Sequence, residues 1–391
     1  MGVNKVEING VVKLDLTADT VTAAKLAQGE TAHDASGELI IGTMTTLQLR
    51  LVVTVSAGAT VTATSGSKTI SGTADSTGVC TLIVPEPGTW SVTATLNGQT
   101  SNTKTVAIMG SYAVALSFVS STLNNNEWSV IKSVSDAGQG ASYWSIGDRK
   151  AVAVRGTIGT QAVNGTYYAY IIGFNHNSSK EGNGITFGTF KTALSGGTDI
   201  CLVDSKYNVA STDGTKYFNM NHSSNTNAGG WKGCDLRYDV LGSTDTNDDD
   251  ATATTATNPV ANTLMAALPS DLRAVMQPMT IYTDNTGGGK NNASYVTKTT
   301  DYLPLLAEYE IFGKRTHANS AEKNYQAQYA YYSAGNSKVK YRHSATGSTA
   351  GWWERSPYYD YNSFFCLVTA DGTADYNGAR YSIGIAPAFR I

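Results

Sequence analysis

Between residues 47 and 118, apolar and polar residues alternate one for one in short runs: LQLRLVVTVS, ATVTATSG, SKTISGTAD, VCTLIVPEPG, TWSVTATLNG and TKTVAIMG. A period of two sends successive side chains to opposite faces of a pleated backbone, so each run can bury one face and leave the other to solvent. Gly, Pro, Asn and Asp close the runs where turns belong. Six such strands satisfy their apolar faces by bringing two sheets together, and residues 47–120 are expected to form a small antiparallel β-sandwich.

The rest of the chain shares the composition that goes with strands, turns and ordered loops. It has 39 Gly and 22 Tyr among 391 residues, and only 15% of them are charged, a poor mixture for helix bundles. The length allows two or three domains. A net charge of −3 and a pI near 6.0 offer no field for phosphates, so nucleic acid is set aside as a partner. The first residues, MGVNKVEING, have no apolar stretch of signal-peptide type, and no run approaches the roughly 18 apolar residues of a membrane span. Val6 stands where a myristoylation motif wants Ser or Thr. Cys80, Cys201, Cys234 and Cys366 form no CxxC pair and read as buried free thiols, consistent with folding in a reducing cytoplasm.

Residues 1–46 read as a separate small module. VEINGVVKLDL predicts a strand or hairpin, DTVTAAKL a brief helix capped by Asp19 or Thr20, and HDASGELIIGTM a turn and a strand. So few residues bury too little to stand alone, so the module is expected to fold on a neighbour or in an oligomer. A polar stretch, STLNNNE, marks the start of a third domain, 121–391. There Trp128, Val130, Ile131 and Val134 have helical spacing. Leu264, Met265, Leu268, Leu272, Val275 and Met276 form a stripe over two joined helices, with Pro269 in the first turn of the second, capped around Ser270. Residues 205–258 and 284–300 lack periodicity and read as long loops, functional or held by their own polar contacts.

The tail, from residue 351 onward, interleaves two kinds of residue. Trp352, Trp353, Phe365, Leu367, Val368, Gly384, Ile385, Pro387, Phe389 and Ile391 read as a fold-bearing scaffold. Between them lie two polar and aromatic blocks: Tyr358, Tyr359, Asp360, Tyr361, Asn362, Ser363 and Phe364, then Asp375, Tyr376, Asn377, Gly378, Arg380, Ser382 and Ile383. Mixtures of Tyr with Ser, Asn and Asp make adaptable contact surfaces, because Tyr offers large amphipathic area at low entropy cost. The bland alternative is that these tyrosines are ordinary strand surface or pack on a neighbouring subunit.

WSIGD, GFNHN, FNMNHSSNTNAGGWKGCDLRYDVLGS, LMAALPSDLRAVMQPMTIYTDN, YLPLLAEYEIFG, STAGWWERSP and GIAPAFRI, in that order over residues 125–391, resemble the C-type-lectin-like domains of phages, prophages and gut Firmicutes. That family includes the variable proteins of diversity-generating retroelements, among them the phage tropism determinant. The resemblance implies an α+β lectin-type scaffold whose two blocks form a variable ligand-binding surface. It also implies a homotrimer, a host cell-surface receptor of protein or glycan nature, and other tail or baseplate proteins as partners. GTWSVTAT and its neighbouring strands resemble the PEGA or carboxypeptidase-regulatory type of immunoglobulin-like spacer, and VTAAKLAQGETAHDASGELIIGTM is similar to the start of phage tail and fibre proteins. The expected whole is a multidomain, mainly β virion protein that binds a host and is no enzyme; a decoration or baseplate protein with the same face in subunit contacts is the alternative.

Chemistry-bearing patterns are sparse. A formylglycine-type lectin-fold enzyme needs a working pair of cysteines, and Cys366 has none in its segment. His176, His222, His317 and His343 lack ligand spacing, and the acidic stretch 245–250 lacks the register of a calcium loop. TDNTGGGKN has the wrong spacing for a phosphate loop, and the Asn-x-Ser/Thr sites at Asn164, Asn177, Asn221 and Asn292 carry no weight without an export signal. No cofactor and no metal are expected.

Overall fold

The structure is a computed structural model that describes residues 2–43, 49–211, 217–222, 224–246, 249–343 and 345–391. It is mainly β, with 37% strand against 15% helix, spread over several sheets. The chain divides into two compact units, Met1–Phe118 and Val119–Ile391. The expected boundary between the first module, ending at residue 46, and the sandwich, starting at residue 47, lies outside the described residues.

In the first unit, strands Lys5–Ile8 and Val11–Asp15 form a hairpin. Its two-residue turn is Asn9-Gly10, with φ of 52° and 74°, the left-handed pair that matches strand twist. A second hairpin joins Thr31–His33 to Leu39–Ile41. The helix expected between them is a single 3-10 turn, Ala23–Lys25. Thr22 stands at its N-cap with no side-chain bond, so neither Asp19 nor Thr20 caps it.

Beyond them lie two sheets. One runs Gln99–Thr100, Gly88–Leu96, Thr60–Ser65, Lys68–Thr73, with Lys104–Ile108 also on Gly88–Leu96; the other runs Ser111–Ala115, Arg50–Thr54, Val79–Ile83. Inward positions of the alternating runs meet in one core of Leu51, Val53, Val61, Leu82, Trp90, Val92 and Ile108. The all-antiparallel expectation fails at one pair: Ser111–Ala115 lies parallel to Arg50–Thr54, because it is reached by a crossover and not by a hairpin.

The second unit is framed by the helix Trp128–Asp136 and the long hairpin Arg149–Ile158 with Gln161–Phe174. The helix buries Trp128, Val130, Ile131 and Val134. The hairpin's second strand pairs with Ile185–Lys191, which in turn pairs with Phe389–Arg390 and so draws the last residues into the central sheet. The apolar stripe near residue 270 makes two single-turn helices, Leu264–Ala267 and Ser270–Arg273; Pro269 is the N-cap of the second and not part of its first turn. The segment 284–300 is not all loop, since Val296–Asp301 pairs residue for residue with Met279–Asp284. Helices Asp235–Asp239 and Ala253–Thr257 likewise interrupt the first long stretch. All four cysteines are buried and free. Among the described residues, no helix is long and apolar enough to cross a membrane.

Candidate functional site

Three antiparallel strands near the end of the chain carry the two tail blocks: Trp352–Pro357, Phe364–Val368 and Ala374–Gly378. Alternation sends Trp353 into the larger core and Trp352 into a second one, both fully buried, and each indole N–H donates to a carbonyl, of Phe218 and Lys338 respectively, at 3.0 Å. Phe365, Pro387, Phe389 and Ile391 are buried as well. Gly384 packs so closely that a Cβ there would lie 2.4 Å from the sulfur of Cys201, so the scaffold role is steric.

The loop between the first two strands lifts an aromatic stack to the surface. The rings of Tyr358 and Tyr376 are 4.1 Å apart and nearly parallel at 7°. Phe364 stacks 5.3 Å from Tyr376, and Tyr361 5.3 Å from Phe364. Such pairs add roughly 0.5–1.5 kcal/mol beyond the area they bury. Asp360, Tyr361, Asn362, Asp375 and Arg380 are exposed around the stack, while Tyr358, Tyr359, Ser363, Phe364, Tyr376 and Asn377 are half-buried within it.

Three residues expected on this surface are not on it. After Gly378 the chain turns inward, and Ala379 donates its N–H to the carbonyl of Ser363. Gly378 is buried, with the place of a Cβ 3.0 Å from the side chain of Asn225. Ser382 is buried with its hydroxyl donating to the Ser205 carbonyl at 2.8 Å and accepting from Phe218 N–H at 3.0 Å, and Ile383 joins the main core. Their surroundings leave no freedom to vary, so they belong with the scaffold.

The residues that hold the loop are ones the sequence did not single out. Asn227 is fully buried, and its amide nitrogen donates to the carbonyls of Tyr361 and Phe364, both at 2.8 Å, and more weakly to that of Tyr358 at 3.2 Å. Its backbone N–H donates to the Asn362 carbonyl at 2.7 Å, and its side-chain oxygen accepts from Gly288 N–H at 2.8 Å. Gly287, at φ 62°, is needed here: a Cβ would fall 1.8 Å from the Asn227 carbonyl oxygen. Asn227 therefore fastens the loop through its backbone, and the half-buried ring stack adds to that hold, while the exposed side chains of Asp360, Asn362 and Asp375 take no part in the bonds to Asn227.

Two further contacts widen the face. His317 meets Tyr358 and Tyr376 edge-on at 5.6 and 5.1 Å, and Arg315 lies 4.8 Å over the ring of Tyr359. Glu308, fully buried, accepts the N–H groups of His317 and Ala318 and so fixes the turn that presents His317.

Beneath lies a buried acidic network. Asp284 accepts from the N–H groups of Thr286 and Gly287 and from Asn319, so it shapes the turn that meets Asn227. Glu322 accepts from Asp284 N–H at 3.0 Å, Ser356 at 2.7 Å and Gln326 at 3.0 Å. Burial pushes its carboxyl up to about 7, against the three bonds that favour the charged form. Glu354 is fully buried with no hydrogen-bond partner on either oxygen; burial, and then the nearby Glu308 and Glu322, push it well above the usual carboxylate range.

The Glu322 shift sets a pH dependence. A folded-state value above the unfolded one means that the group's stability contribution is complete below about pH 4.5 and is lost as pH rises through about 7. The loss approaches about 3 kcal/mol by pH 8. In Glu322→Gln this fall is expected to be absent, so urea titrations at pH 5 and pH 8 should differ less than in the parent by about 2 kcal/mol, part of the loss being already complete at pH 5. An unchanged pH profile would remove Glu322 as its source.

Elsewhere, chemistry is not assembled. Among the described residues, no group of three or more His, Cys, Asp or Glu could hold a metal ion. In the acidic stretch, residues 247 and 248 lie outside the described residues, Asp245 accepts from Thr254 and Thr255, and Asp250 from the Thr300 N–H. His176 is stacked 3.7 Å from Tyr329, and its burial lowers its proton affinity.

Residues 201–391, which contain the whole face, match the model of a family described as a domain of unknown function (DUF6273). No curated protein matches the chain. What this chain is similar to over its second half is thus a family without an assigned activity.

Proposed function

We propose that this chain is a receptor-binding protein of a tailed phage or prophage, in which a C-type-lectin-like domain presents residues 358–364 and 375–377, with Arg380, to a host surface molecule. In this reading the sandwich is an immunoglobulin-like spacer, residues 1–46 attach the protein to the particle, and recognition is binding without catalysis. The observation that carries the proposal is that an aromatic loop at the surface is held by Asn227 through the loop's own carbonyls, so this hold does not depend on which side chains its exposed positions carry. Tyr suits such a surface because it offers large, rigid, amphipathic contact area at low entropy cost. Diversification by a retroelement fits the same arrangement and is part of the proposal.

The test is adsorption. Tyr361 is 57% exposed and loses one stacked pair, so Tyr361→Ala is expected to cost about 1 kcal/mol. The combination of Tyr359→Ser, Tyr361→Ala, Asn362→Ala and Asp375→Ala should leave the purified chain folded and abolish its binding to host cells and its competition with phage adsorption. Undiminished binding by the folded quadruple variant would overturn the proposal, and loss of particle assembly instead of adsorption would point to a structural face. In the coding DNA, a near-identical repeat of the last 40 or so codons differing only at adenines would establish diversification.

A further inference from the structure

Two loops from outside the tail blocks border the aromatic face, residues 286–292 and 314–320. In the first, Gly289 at φ 66° lets the backbone press against the face, where a Cβ would lie 2.8 Å from the backbone nitrogen of Asn362. The second pairs with the face directly: Tyr359 donates its N–H to the His317 carbonyl at 3.1 Å, and Ala318 forms a bridge with Tyr358. The loops are also tied to each other, since the Ser320 N–H donates to the Asn291 side chain at 2.8 Å and the Asn319 side chain to the Asn292 carbonyl at 2.9 Å. Together they carry Lys290, Lys314 and Arg315 and no Asp or Glu, in a chain whose net charge is −3. Both lysines are exposed and Arg315 is half-buried, and among the described residues none of the three forms an ion pair.

We propose that the receptor bound by this face is an anionic glycan, with phosphate or carboxylate groups spaced along its sugars. The inference rests on the host-binding reading above. Lys290, Lys314 and Arg315 lie outside both tail blocks, so they select the class of receptor while the blocks select its detail. Arg315 lies 4.8 Å over the ring of Tyr359, which supports the guanidinium from one side and leaves its N–H fork for a phosphate or carboxylate. Tyr361, at the end of the ring stack, offers an exposed ring to the apolar face of a sugar. Asp360 and Asp375 decide against an acidic protein segment. Both are exposed acceptors: a glycan spaces its charges with hydroxyls that donate to them, whereas an acidic peptide brings further carboxylates against them.

Binding of the full chain to host cells tests this. Lys290→Gln/Lys314→Gln/Arg315→Gln is expected to bind about tenfold more weakly than the parent, and the parent itself about fivefold more weakly at about 200 mM salt than at about 50 mM. Circular dichroism checks that the triple variant is folded; Lys290→Gln/Lys314→Gln, changed only at exposed positions, gives a smaller loss of the same sign should it not be. Four competitors read the chemistry: a poly(glycerol phosphate) teichoic acid for phosphate, polygalacturonate for carboxylate, dextran as a neutral glycan and polyglutamate as an acidic peptide. One or both of the first two should displace the chain from cells, and the last two should not. Charge variants within about twofold of the parent, no displacement by either anionic glycan, or equal displacement by polyglutamate would overturn the proposal. If the charge variants keep host binding and the quadruple variant above loses it, this inference fails alone; if both keep it, the face is not the receptor site.

Discussion

Asn227→Ala is expected to destabilise the second unit by about 4 kcal/mol, and to do so without touching any side chain of the aromatic face. The substitution strips the Tyr361 and Phe364 carbonyls of their 2.8 Å donor and leaves the N–H of Gly288 without its acceptor. These bonds are part-buried, so each orphaned polar group costs toward the lower end of about 1–3 kcal/mol. Asn227→Asp should be at least as damaging despite its matching shape, because a carboxylate keeps the bond from Gly288 but faces the carbonyl oxygens with no proton to donate. Urea denaturation measures the loss, and hydrogen exchange at residues 358–364 locates it. If Asn227→Ala costs under 1 kcal/mol, the loop is held by something other than this amide, and the independence of that hold from the exposed side chains goes with it.

That dependence on a polar residue explains where the sequence was readable. The sandwich was legible because its buried face is apolar and its period is two, from Leu51 and Val53 through Trp90, Val92 and Ala94. The scaffold positions Trp352, Trp353, Phe365 and Phe389 were legible for the same reason. Val296–Asp301 was not, because the residues it buries include Thr299 and Asp301, which leave no hydrophobic signature. Asp301 is sustained inside by Arg237 at 2.6 Å, Ser243 at 3.0 Å and the Trp231 indole at 3.2 Å, partners distant in sequence. Asn227 was hidden likewise: it sits in a polar stretch, and its partners are carbonyls more than 130 positions later. The two stretches without periodicity, around residues 227–230 and 284–289, are packed on each other through Gly230 and Gly287, whose absent side chains admit that approach. Ser382 and Ile383 fail in the opposite sense, since composition placed them with a surface block while the inward turn after Gly378 buries them.

The largest single loss is expected at Arg355, in the strand that supports the face. Its guanidinium grips Glu310 with both terminal nitrogens, at 2.6 and 2.5 Å, and donates to Thr283 at 2.6 Å and to the Leu305 carbonyl at 2.8 Å, all out of contact with water. Arg355→Met keeps much of the volume and removes the charge, which leaves Glu310 unpaired in a region already crowded by Glu181, Glu322 and Glu354. Breaking a buried pair from one side costs about 3–5 kcal/mol, more than such a pair contributes over an apolar replacement. Two signatures separate this mechanism from simple loss of packing. Glu310→Gln in the Arg355→Met background should recover at least about 2 kcal/mol, because it removes the stranded charge while keeping an oxygen for the Ala307 N–H that Glu310 now serves at 2.9 Å. Acidification should also help the single variant: an unpaired buried carboxylate takes up a proton more readily folded than unfolded, so its penalty is present at high pH and fades as pH falls. Denaturation at pH 8 and pH 5 for parent, single and double variants measures both effects. A single variant whose deficit is the same at the two pH values, and which the second substitution does not relieve, would mean that Arg355 acts there through shape alone.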